Sequence, residues 1–503
     1  MPNSLNPVII QFFHWYYPGN GRLWNDFVAE APNLAKHGFT NVWFPPAYKG
    51  CNGGYSIGYD AYDLFDLGEF DQKGTIPTKY GTKEQYLKAI EAAHKNNMGV
   101  IADAVFNHKA GADELEKFTV KKVNPDNRNE FISDHFDIEA WTKFTFPGRN
   151  GKYSEFIWDH KCFSGVDWAN DINEDGVYSI QNEYGEGWEE VMESELGNYD
   201  YLMYADIEFR NASVREELKY WGKWYLEQTH VDGFRLDAVK HIASYFFNEW
   251  IDYMRSLKEE YTPMIGEYWN IHDVNALLRY IDVTKGRMQL FDAPLHHNFY
   301  TASKAGKDFD LRNIFNNTLV QQMPTHAVTI VDNHDTQPLQ SLESPVEDWF
   351  KPLALSLILL RTDGTPCIFH PALYGAEYTD NGHDGQGYDI KISPVDILPT
   401  LLRARKDFAF GMQRDYFNHG NCIGWTREGI KEVPGSGCAV ILSNGTEGFK
   451  DMQMGNTHAN ETFVDLLGRR KEKVKLNGDG WGKFMCDGGS VSVWVREELG
   501  VRN

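Results

Sequence analysis

The chain has 503 residues, which is too long for one ordinary core and predicts two or three domains, and a large α/β barrel is compatible with this length. Its net charge of −23 argues against nucleic acid and anionic membrane surfaces, since both are bound through Lys and Arg. An acidic chain is compatible with a neutral substrate, or with a cation such as calcium that takes carboxylate oxygens. We therefore expect neither nucleic-acid nor membrane partners.

The cysteines and the N-terminus bear on the cellular compartment. The six cysteines are scattered, with no CxxC pair and no zinc-ligand spacing, so they allow either disulfides or a reducing compartment. The N-terminus, MPNSLNPVIIQFF, has no basic segment followed by a long apolar run, and no signal peptide is predicted. A cytoplasmic location is the simplest interpretation, although a secreted chain whose signal had been removed would read the same.

Apolar runs alternate with helical patterns along most of the chain. The runs VIIQFF, FTNVWF and GVIADAVF come first, and a helix is expected from about Trp24 to His37 and another around KEQYLKAIEAAHKNN. After a gap of about a hundred residues, a helix over VREELKYWGKWYLEQT precedes the runs VDGFRLD, PMIGEYW, MQLFD, AVTIVDNHD and PCIFH. Eight strands that alternate with helices predict a parallel (β/α)8 TIM barrel.

The gap and the C-terminal region define the other domains. The gap is rich in Asp, Asn, Gly and aromatic residues and predicts an inserted domain after the third strand. From about residue 402, short strand-like runs separated by Gly, Asn and Asp turns predict an all-β sandwich. The predicted division is therefore a barrel over 1–107 and 211–401, an inserted domain over 108–210 and a C-terminal β domain over 402–503.

Charged and titratable side chains collect at the ends of the barrel strands. Strand three ends in Asp103, strand four in Arg235 and Asp237, strand five in Glu267 and strand seven in Asp335. The C-terminal ends of barrel strands line the mouth where active sites lie. Like charges in a partly desolvated mouth repel each other, so a purely structural role for all of these carboxylates is disfavoured against an active site.

The local sequence suggests a role for two of these carboxylates. Arg235 and Asp237 leave the strand on the same face, and a nearby guanidinium favours an ionised, nucleophilic carboxylate. Glu267 lies among apolar and aromatic residues, where desolvation raises the pKa of a carboxyl and suits it to act as a general acid. A nucleophilic carboxylate with a carboxylic acid is the equipment of a retaining glycosidase, whose carboxyl separation the sequence does not reveal.

Four ordered motifs make a family resemblance specific. DAVFNH (103–108), GFRLDAVKH (233–241), GEYW (266–269) and VDNHD (331–335) resemble the motifs of the α-amylase family of glycoside hydrolases (family 13). QFFHWY, GYDAYDLFDLGEF, TKYGTKEQY and NYDYLMYADI resemble its bacterial liquefying-type and cytoplasmic branch. The resemblance covers nearly the whole chain and implies a monomeric, endo-acting enzyme that hydrolyses α-1,4-glucosidic bonds of starch, glycogen or maltodextrins.

The resemblance also implies roles residue by residue. Asp237 would be the nucleophile, Glu267 the acid and base, and Asp335 the third carboxylate, which binds sugar hydroxyls. The implied substrate contacts are Tyr59, His108, Arg235, Lys240, His241, Trp269 and His334. Trp15 is left equally open between a place in the cleft and one in the core.

A calcium ion between the barrel and the inserted domain is implied as well. Asn107, Asp200, Asp206 and the backbone carbonyl of His241 match its ligand positions, and these oxygens suit calcium. Liquefying relatives with further metals continue YADI with aspartates, whereas this chain has Glu208, Arg210 and also Ser164. A cationic Arg disfavours a metal cluster, so one calcium site is expected and further metals are not.

Other functions remain open at this stage. A transglycosylase or a maltooligosaccharide-forming enzyme of the same family would share all four motifs. A non-catalytic glucan-binding relative is disfavoured because all three carboxylates are present. An unrelated metal-dependent hydrolase is disfavoured because Asp103, Asn107 and His108 do not form a transition-metal ligand set.

Overall fold

The computed structural model describes residues 6–258 and 262–500. Eight parallel strands close a barrel in chain order, since each strand pairs with the next and the last pairs with the first. All eight predicted strands are therefore confirmed. They are β1 (Ile9–Gln11), β2 (Asn41–Trp43), β3 (Gly99–Ala104), β4 (Gly233–Leu236), β5 (Met264–Gly266), β6 (Gln289–Phe291), β7 (Ala327–Ile330) and β8 (Thr365–Phe369).

Helices follow the strands and cover the outside of the barrel with their apolar faces. The predicted helix at the N-terminus is confirmed and ends at Gly38, whose φ of 96° is the left-handed conformation that favours glycine. The helices are α1 (Leu23–His37), α2 (Lys83–Lys95), α3 (Ala212–Thr229), α4 (Ser244–Ser256), α5 (Val274–Val283), α6 (Ala293–Ala305), α7 (Leu319–Gln322), α8 (Lys351–Leu360), α9 (His370–Tyr374), α10 (Leu398–Asp407) and α11 (Glu497–Gly500).

The long segment between β3 and β4 forms its own antiparallel sheet. Its first strand follows β3 directly and its last strand ends shortly before α3, so both ends of the insertion lie beside the mouth of the barrel. The strands are His108–Lys109, Glu114–Asn124, Asn127–Phe131, Phe136–Lys143, Phe163–Ala169, Glu174–Ile180 and Ala205–Ile207. Two short hairpins, Lys49–Gly50 with Ala61–Asp63 and Ala376–Asn381 with Gly387–Ile392, extend other barrel loops.

The C-terminal region is all-β, as predicted, with two sheets packed around a common apolar core. The six-stranded sheet has the order Gln413–Tyr416, Cys422–Arg427, Cys438–Ser443, Ser490–Arg496, Thr462–Asp465 and Val474–Lys475, and the second sheet pairs Gly448–Gln453 with Trp481–Cys486. The predicted domain limit at 401/402 falls inside α10, which packs against α8 and α1 of the barrel. The remaining domain limits stay predictions.

The apolar run at 353–360 lies in α8, which is buried along its whole length. Among the helices in the described part of the chain, none combines the length and the apolar character that crossing a bilayer requires.

Gly266 connects the packing of the barrel to the position of Glu267. A Cβ added there would lie 2.5 Å from Met288 Sδ and 2.9 Å from Leu290 Cδ2, in a strand that is fully buried.

Replacement Gly266→Ala should therefore lower the free energy of unfolding by about 1–3 kcal/mol and reduce kcat, because the strand must shift where Glu267 begins. Chemical denaturation and steady-state kinetics measure both effects. Gly478→Ala, which meets no atom within 4 Å, is the control. Equal stability of the two variants would contradict this packing.

Candidate active site

One guanidinium occupies the centre of the barrel mouth. Arg235 is 1% exposed, and its Nη1 lies 2.9 Å from Asp103 Oδ1 and 2.5 Å from Asp237 Oδ1. Its Nη2 lies 2.6 Å from Glu267 Oε2. The three carboxylates come from the ends of β3, β4 and β5, which are neighbours in the barrel. The structure thus brings together the side chains that the sequence predicted at these strand ends.

Asp103 is the member of this group that the sequence prediction left without a role. Its Oδ2 accepts hydrogen bonds from Trp43 Nε1 at 3.0 Å and Tyr59 Oη at 2.8 Å. Burial raises its pKa, and the Arg235 guanidinium opposes that rise. Asp103 therefore fixes one side of Arg235 and joins it to the aromatic wall of the mouth. Its place at the end of a barrel strand is the sequence feature from which this role could have been predicted.

Burial and nearby charges act on Glu267 and Asp237 together. Burial raises the pKa of Glu267 to about 7, with Arg235 opposing the rise and the Asp237 charge adding to it. Burial and the Asp103 charge raise the pKa of Asp237, and Arg235 opposes that rise. Glu267 Oε2 also accepts the backbone N–H of Ala238 at 3.2 Å. Glu267 is therefore suited to carry a proton near neutral pH, while Arg235 favours the charged form of Asp237.

Asp335 approaches this cluster from β7. Burial raises its pKa well above the ordinary value, and the charges of Glu267 and Asp237 add to the rise. His334 Nε2 lies 3.3 Å from Asp335 Oδ2, while His334 Nδ1 lies 3.0 Å from Gln11 Nε2. Because the Gln11 amide donates to Nδ1, the neutral His334 carries its proton on Nε2, the ring nitrogen that faces Asp335. Gln11, a polar side chain in an apolar run, was not predicted.

Aromatic rings form one wall of the mouth. Tyr59 stacks on His334 with ring centroids 5.0 Å apart, and Trp15 stacks on Tyr59 with a centroid distance of 6.0 Å and an interplanar angle of 2°. His108 Nε2 hydrogen-bonds to Tyr59 O at 2.8 Å, which fixes the imidazole beside this wall. Trp15, which the sequence left open, lies in the cleft wall and is partly exposed. Flat, partly exposed aromatic faces suit the apolar faces of sugar rings.

A second group of predicted residues lies on the opposite side of the mouth. The β4 strand is followed by a left-handed residue, Ala238 (φ 48°), and by a single 3-10 turn over Val239–His241. Lys240 Nζ donates to Trp269 O at 3.1 Å and pairs with Glu195 at 3.3 Å. His241 Nδ1 hydrogen-bonds to Tyr199 O at 2.6 Å. This turn therefore connects the strand end to the inserted domain.

The predicted calcium ligands form a separate, fully buried group. Asn107 Nδ2 lies 3.2 Å from Asp206 Oδ1 and 3.3 Å from His241 O. Asp200 lies near Asp206, whose charge adds to the effect of burial in raising the pKa of Asp200 well above its ordinary value. Within the described residues, no Lys or Arg forms an ion pair with either aspartate, although each is at most 2% exposed.

This uncompensated charge is what a cation site requires, since buried carboxylates need a partner. Turning the Asn107 amide over would place its oxygen beside Asp206 and the His241 carbonyl. Four oxygen-bearing groups would then surround one point. Asn107, Asp200, Asp206 and His241 therefore fit a calcium ion in their chemistry.

The neighbouring acidic positions are arranged differently. Glu208 is buried and forms a bidentate ion pair with Arg210, with distances of 2.7 Å to Nε and 2.5 Å to Nη2. Ser164 Oγ donates to Asp206 Oδ2 at 2.5 Å. A guanidinium thus provides the positive charge that Glu208 needs.

A cavity of about 400 Å³ in the inserted domain opens beside His108. Tyr204 borders the cavity and packs edge-on against His108 with a centroid distance of 5.4 Å. Trp141, which is 46% exposed, and Trp168 line it further out. This aromatic cavity lies in the inserted domain and reaches the mouth residue His108 through Tyr204, and the sequence prediction did not include it.

Comparisons with known proteins identify the family. Residues 30–384 match the family model "Alpha amylase, catalytic domain", and residues 438–495 match the model "Alpha-amylase C-terminal". The chain belongs to the α-amylase family of glycoside hydrolases. The resemblance that the four motifs indicated is therefore confirmed.

Individual relatives match this family member over nearly their whole length. It is 52% identical to the cytoplasmic α-amylase of Escherichia coli, covering 98% of this chain and 99% of the relative. It is 50% identical to an α-amylase of Geobacillus stearothermophilus, covering 99% of this chain and 88% of the relative. It is 45% identical to a glucan 1,4-α-maltohexaosidase of a Bacillus species, covering 98% of this chain and 93% of the relative. Its fold resembles that of an α-amylase of Geobacillus thermoleovorans crystallised with acarbose, with a TM-score of 0.64, 18% identity and coverage of 98% and 99%.

Asp103 predicts a measurable change in pH dependence. Its charge raises the pKa of Asp237, so Asp103→Asn should lower that pKa and leave Arg235 more strongly bound to Asp237. The acidic limb of the kcat/KM profile of this hydrolase should move to lower pH. Asp282→Asn, an exposed change on α5, is the control and should leave the limb in place. A limb that moves to higher pH in Asp103→Asn would contradict the repulsion between the two carboxylates.

Proposed function

We propose that the protein is an endo-acting α-amylase that hydrolyses α-1,4-glucosidic bonds of starch, glycogen or maltodextrins with retention of configuration. The observation that carries this proposal is the pair Asp237 and Glu267, which are held on the two Nη atoms of one guanidinium. Inverting enzymes keep their carboxyl groups about 6.5–9.5 Å apart to admit a water, whereas retaining enzymes keep them about 5 Å apart. Two carboxyl groups bound to one guanidinium favour the closer, retaining arrangement.

Asp237 is assigned as the nucleophile. Arg235 stabilises its charged form, so Asp237 can attack the anomeric carbon and form a covalent glycosyl intermediate. Its backbone N–H is bonded to Ala104 O at 3.0 Å, which anchors the residue to β3. The carboxylate thus approaches the sugar from a rigid strand end.

Glu267 is assigned as the acid and base. With a pKa of about 7 it carries a proton near neutral pH and can donate it to the glycosidic oxygen of the leaving chain. The contacts of Oε2 with Arg235 and Ala238 leave Oε1 to carry that proton. After the leaving chain departs, the Glu267 carboxylate takes a proton from water, which then attacks the intermediate and releases Asp237.

The remaining predicted residues bind the sugar chain. Asp335 and His334 would hold sugar hydroxyls on one side of the reacting ring, with Tyr59 stacked below it and His108 beside it. Lys240, His241 and Trp269 lie on the far side, where the leaving chain would be bound. Arg235 has no exposed surface for substrate and acts through the carboxylates instead.

Calcium is proposed as a structural ion. Asn107, Asp200, Asp206 and the carbonyl of His241 would hold it, and its charge would balance the two buried aspartates. The ion would fix the inserted domain against the turn that follows β4. The ion pair of Glu208 and Arg210 supports a single ion here.

A maltooligosaccharide-forming enzyme of the same family is the second candidate. The aromatic cavity lined by Trp141 and Trp168 favours it, because stacking on a distant sugar would fix the length of the released product. The similarity to a maltohexaosidase supports it as well. Product analysis on amylose separates the candidates: a broad early range of lengths indicates random endo-attack, one dominant length indicates the second candidate, and products longer than a short substrate indicate glycosyl transfer.

We also propose a cytoplasmic location. The similarity to an α-amylase described as cytoplasmic supports it, and so do the six free cysteines of the described residues. Fractionation of the source cells tests it.

The retaining mechanism predicts the outcome of one substitution and one stereochemical measurement. Asp237→Asn should lower kcat by about 10³-fold or more, because the amide cannot form the intermediate. NMR spectra recorded early in the reaction should show products with the α-anomeric configuration of the substrate. Asp282→Asn is again the control. β-Anomeric products, or full activity of Asp237→Asn, would refute the assignment.

Calcium removal should lower both stability and activity. A ligand that binds only the folded state stabilises it by about 2.7 kcal/mol at a hundredfold excess over Kd, so a chelator should lower the Tm by several degrees. Asp200→Asn and Asp206→Asn should weaken calcium binding, whereas Asp134→Asn, an exposed change in the same domain, should not. Isothermal titration should give one calcium per chain, and two or more would contradict the role assigned to Arg210.

A further inference from the structure

The C-terminal domain contains two buried thiols that belong to different sheets. Cys422 begins a strand of the six-stranded sheet, and Cys486 ends a strand of the two-stranded sheet. They are 6% and 0% exposed, and both line the apolar core between the sheets. Both are free cysteines.

Gly448 shows how close the two thiols are. It is the cross-strand partner of Cys486, so the two positions share a face, with Cβ positions about 4.5–5.5 Å apart in such pairs. A Cβ added to Gly448 would lie 2.5 Å from Cys422 Sγ and 3.1 Å from Cys422 Cβ. The Cys422 sulfur therefore occupies the space that a side chain at 448 would take. The two thiols are therefore neighbours in the core between the sheets.

A cation lies beside this pair. Lys450 is two residues after Gly448 and so projects from the same face of its strand. Its side chain is buried, and its Nζ donates to Asn418 Oδ1. The neighbouring Cys486 thiol lowers the pKa of Cys422, burial opposes this effect, and the Lys450 charge lowers the pKa further. The thiolate is the reactive form of cysteine, so Lys450 is a positioning residue that favours attack by Cys422.

We propose that Cys422 and Cys486 are a site of reversible disulfide formation, with a small hydroperoxide as the oxidant. The Cys422 thiolate attacks one oxygen of hydrogen peroxide, the O–O bond breaks, and a sulfenic acid forms while the leaving hydroxide takes a proton to give water. The Cys486 sulfur then attacks the sulfenic sulfur and loses its proton, and a second water leaves. Two thiols and one peroxide thus give one disulfide and two waters. An external dithiol reverses the bond by exchange.

The bond would connect the two sheets of the sandwich through residues far apart in the chain. Closing a loop between positions 422 and 486 restricts the unfolded chain more than the folded one. The oxidised domain should therefore be more stable than the reduced one. The active-site residues lie in the barrel, so catalysis should change little.

Peroxide treatment of the full-length protein tests the proposal. Alkylation after the treatment counts the remaining free cysteines, whose number should fall from six to four. Peptide mass spectrometry should find one disulfide-linked peptide pair that joins positions 422 and 486. The Tm should rise by several degrees and return after reduction. Amylase activity should change less than about twofold.

Variants separate the pair from the other cysteines. Cys422→Ser should keep five free thiols after treatment. Cys486→Ser should form no disulfide and should keep four free thiols beside an oxidised Cys422. Cys438→Ser, a buried change in the same domain, should still form the disulfide and fall from five free thiols to three. Lys450→Met should slow the oxidation several-fold, and Lys450→Arg should largely restore the rate. If a variant fails to fold, the peptide pair in the wild-type protein still decides. Absence of that pair, a different pair, or Cys422 oxidised to sulfinic acid beside a free Cys486 would overturn the proposal.

Discussion

The active site depends on a shortage of positive charge. One buried guanidinium, Arg235, contacts three carboxylates, and Asp335 stands nearby without a cation of its own. A single cation cannot neutralise four buried acids, so at least one of them must keep a proton near neutral pH. Burial and the Asp237 charge favour a proton on Glu267, and burial with the charges of Glu267 and Asp237 raises the pKa of Asp335 as well. Arg235 favours the charged form of Asp237. The proposed division into acid and nucleophile rests on this charge balance of the mouth.

One short turn connects the carboxylates of the mouth to the inserted domain. Ala238 adopts a left-handed conformation that costs about 1–2 kcal/mol for a residue with a Cβ. This conformation lets the Ala238 N–H donate to Glu267 Oε2. The 3-10 turn that follows brings the His241 carbonyl to Asn107. A strained residue between the nucleophile and the proposed metal ligand makes the two sites dependent on each other's position.

The sequence predicted the barrel strands and the carboxylates because both follow local rules. Apolar runs with polar ends identify strands, and parallel strands bring their ends to one mouth, so Asp237, Glu267 and Asp335 could be placed without coordinates. Partners that lie far apart in sequence could not be found in this way. Gln11 donating to His334, and the aromatic cavity beside His108, depend on how loops from distant strands pack. The strands of the inserted domain were missed, although Phe136–Lys143 alternates buried and exposed side chains and could have been recognised.

Two further sets of buried carboxylates lie near the insertion, and only one of them has a cationic side chain as a partner. Glu208 is buried and receives a bidentate guanidinium from Arg210, two positions along the chain. Asp200 and Asp206 are equally buried, yet within the described residues their hydrogen bonds come from neutral donors: a backbone N–H, a hydroxyl and an amide. Neutral donors weaken the repulsion between two carboxylates but do not remove it. Arg210 therefore balances the charge of Glu208, whereas the two aspartates need a cation from solution. This contrast supports the proposed calcium site formed by Asn107, Asp200, Asp206 and His241.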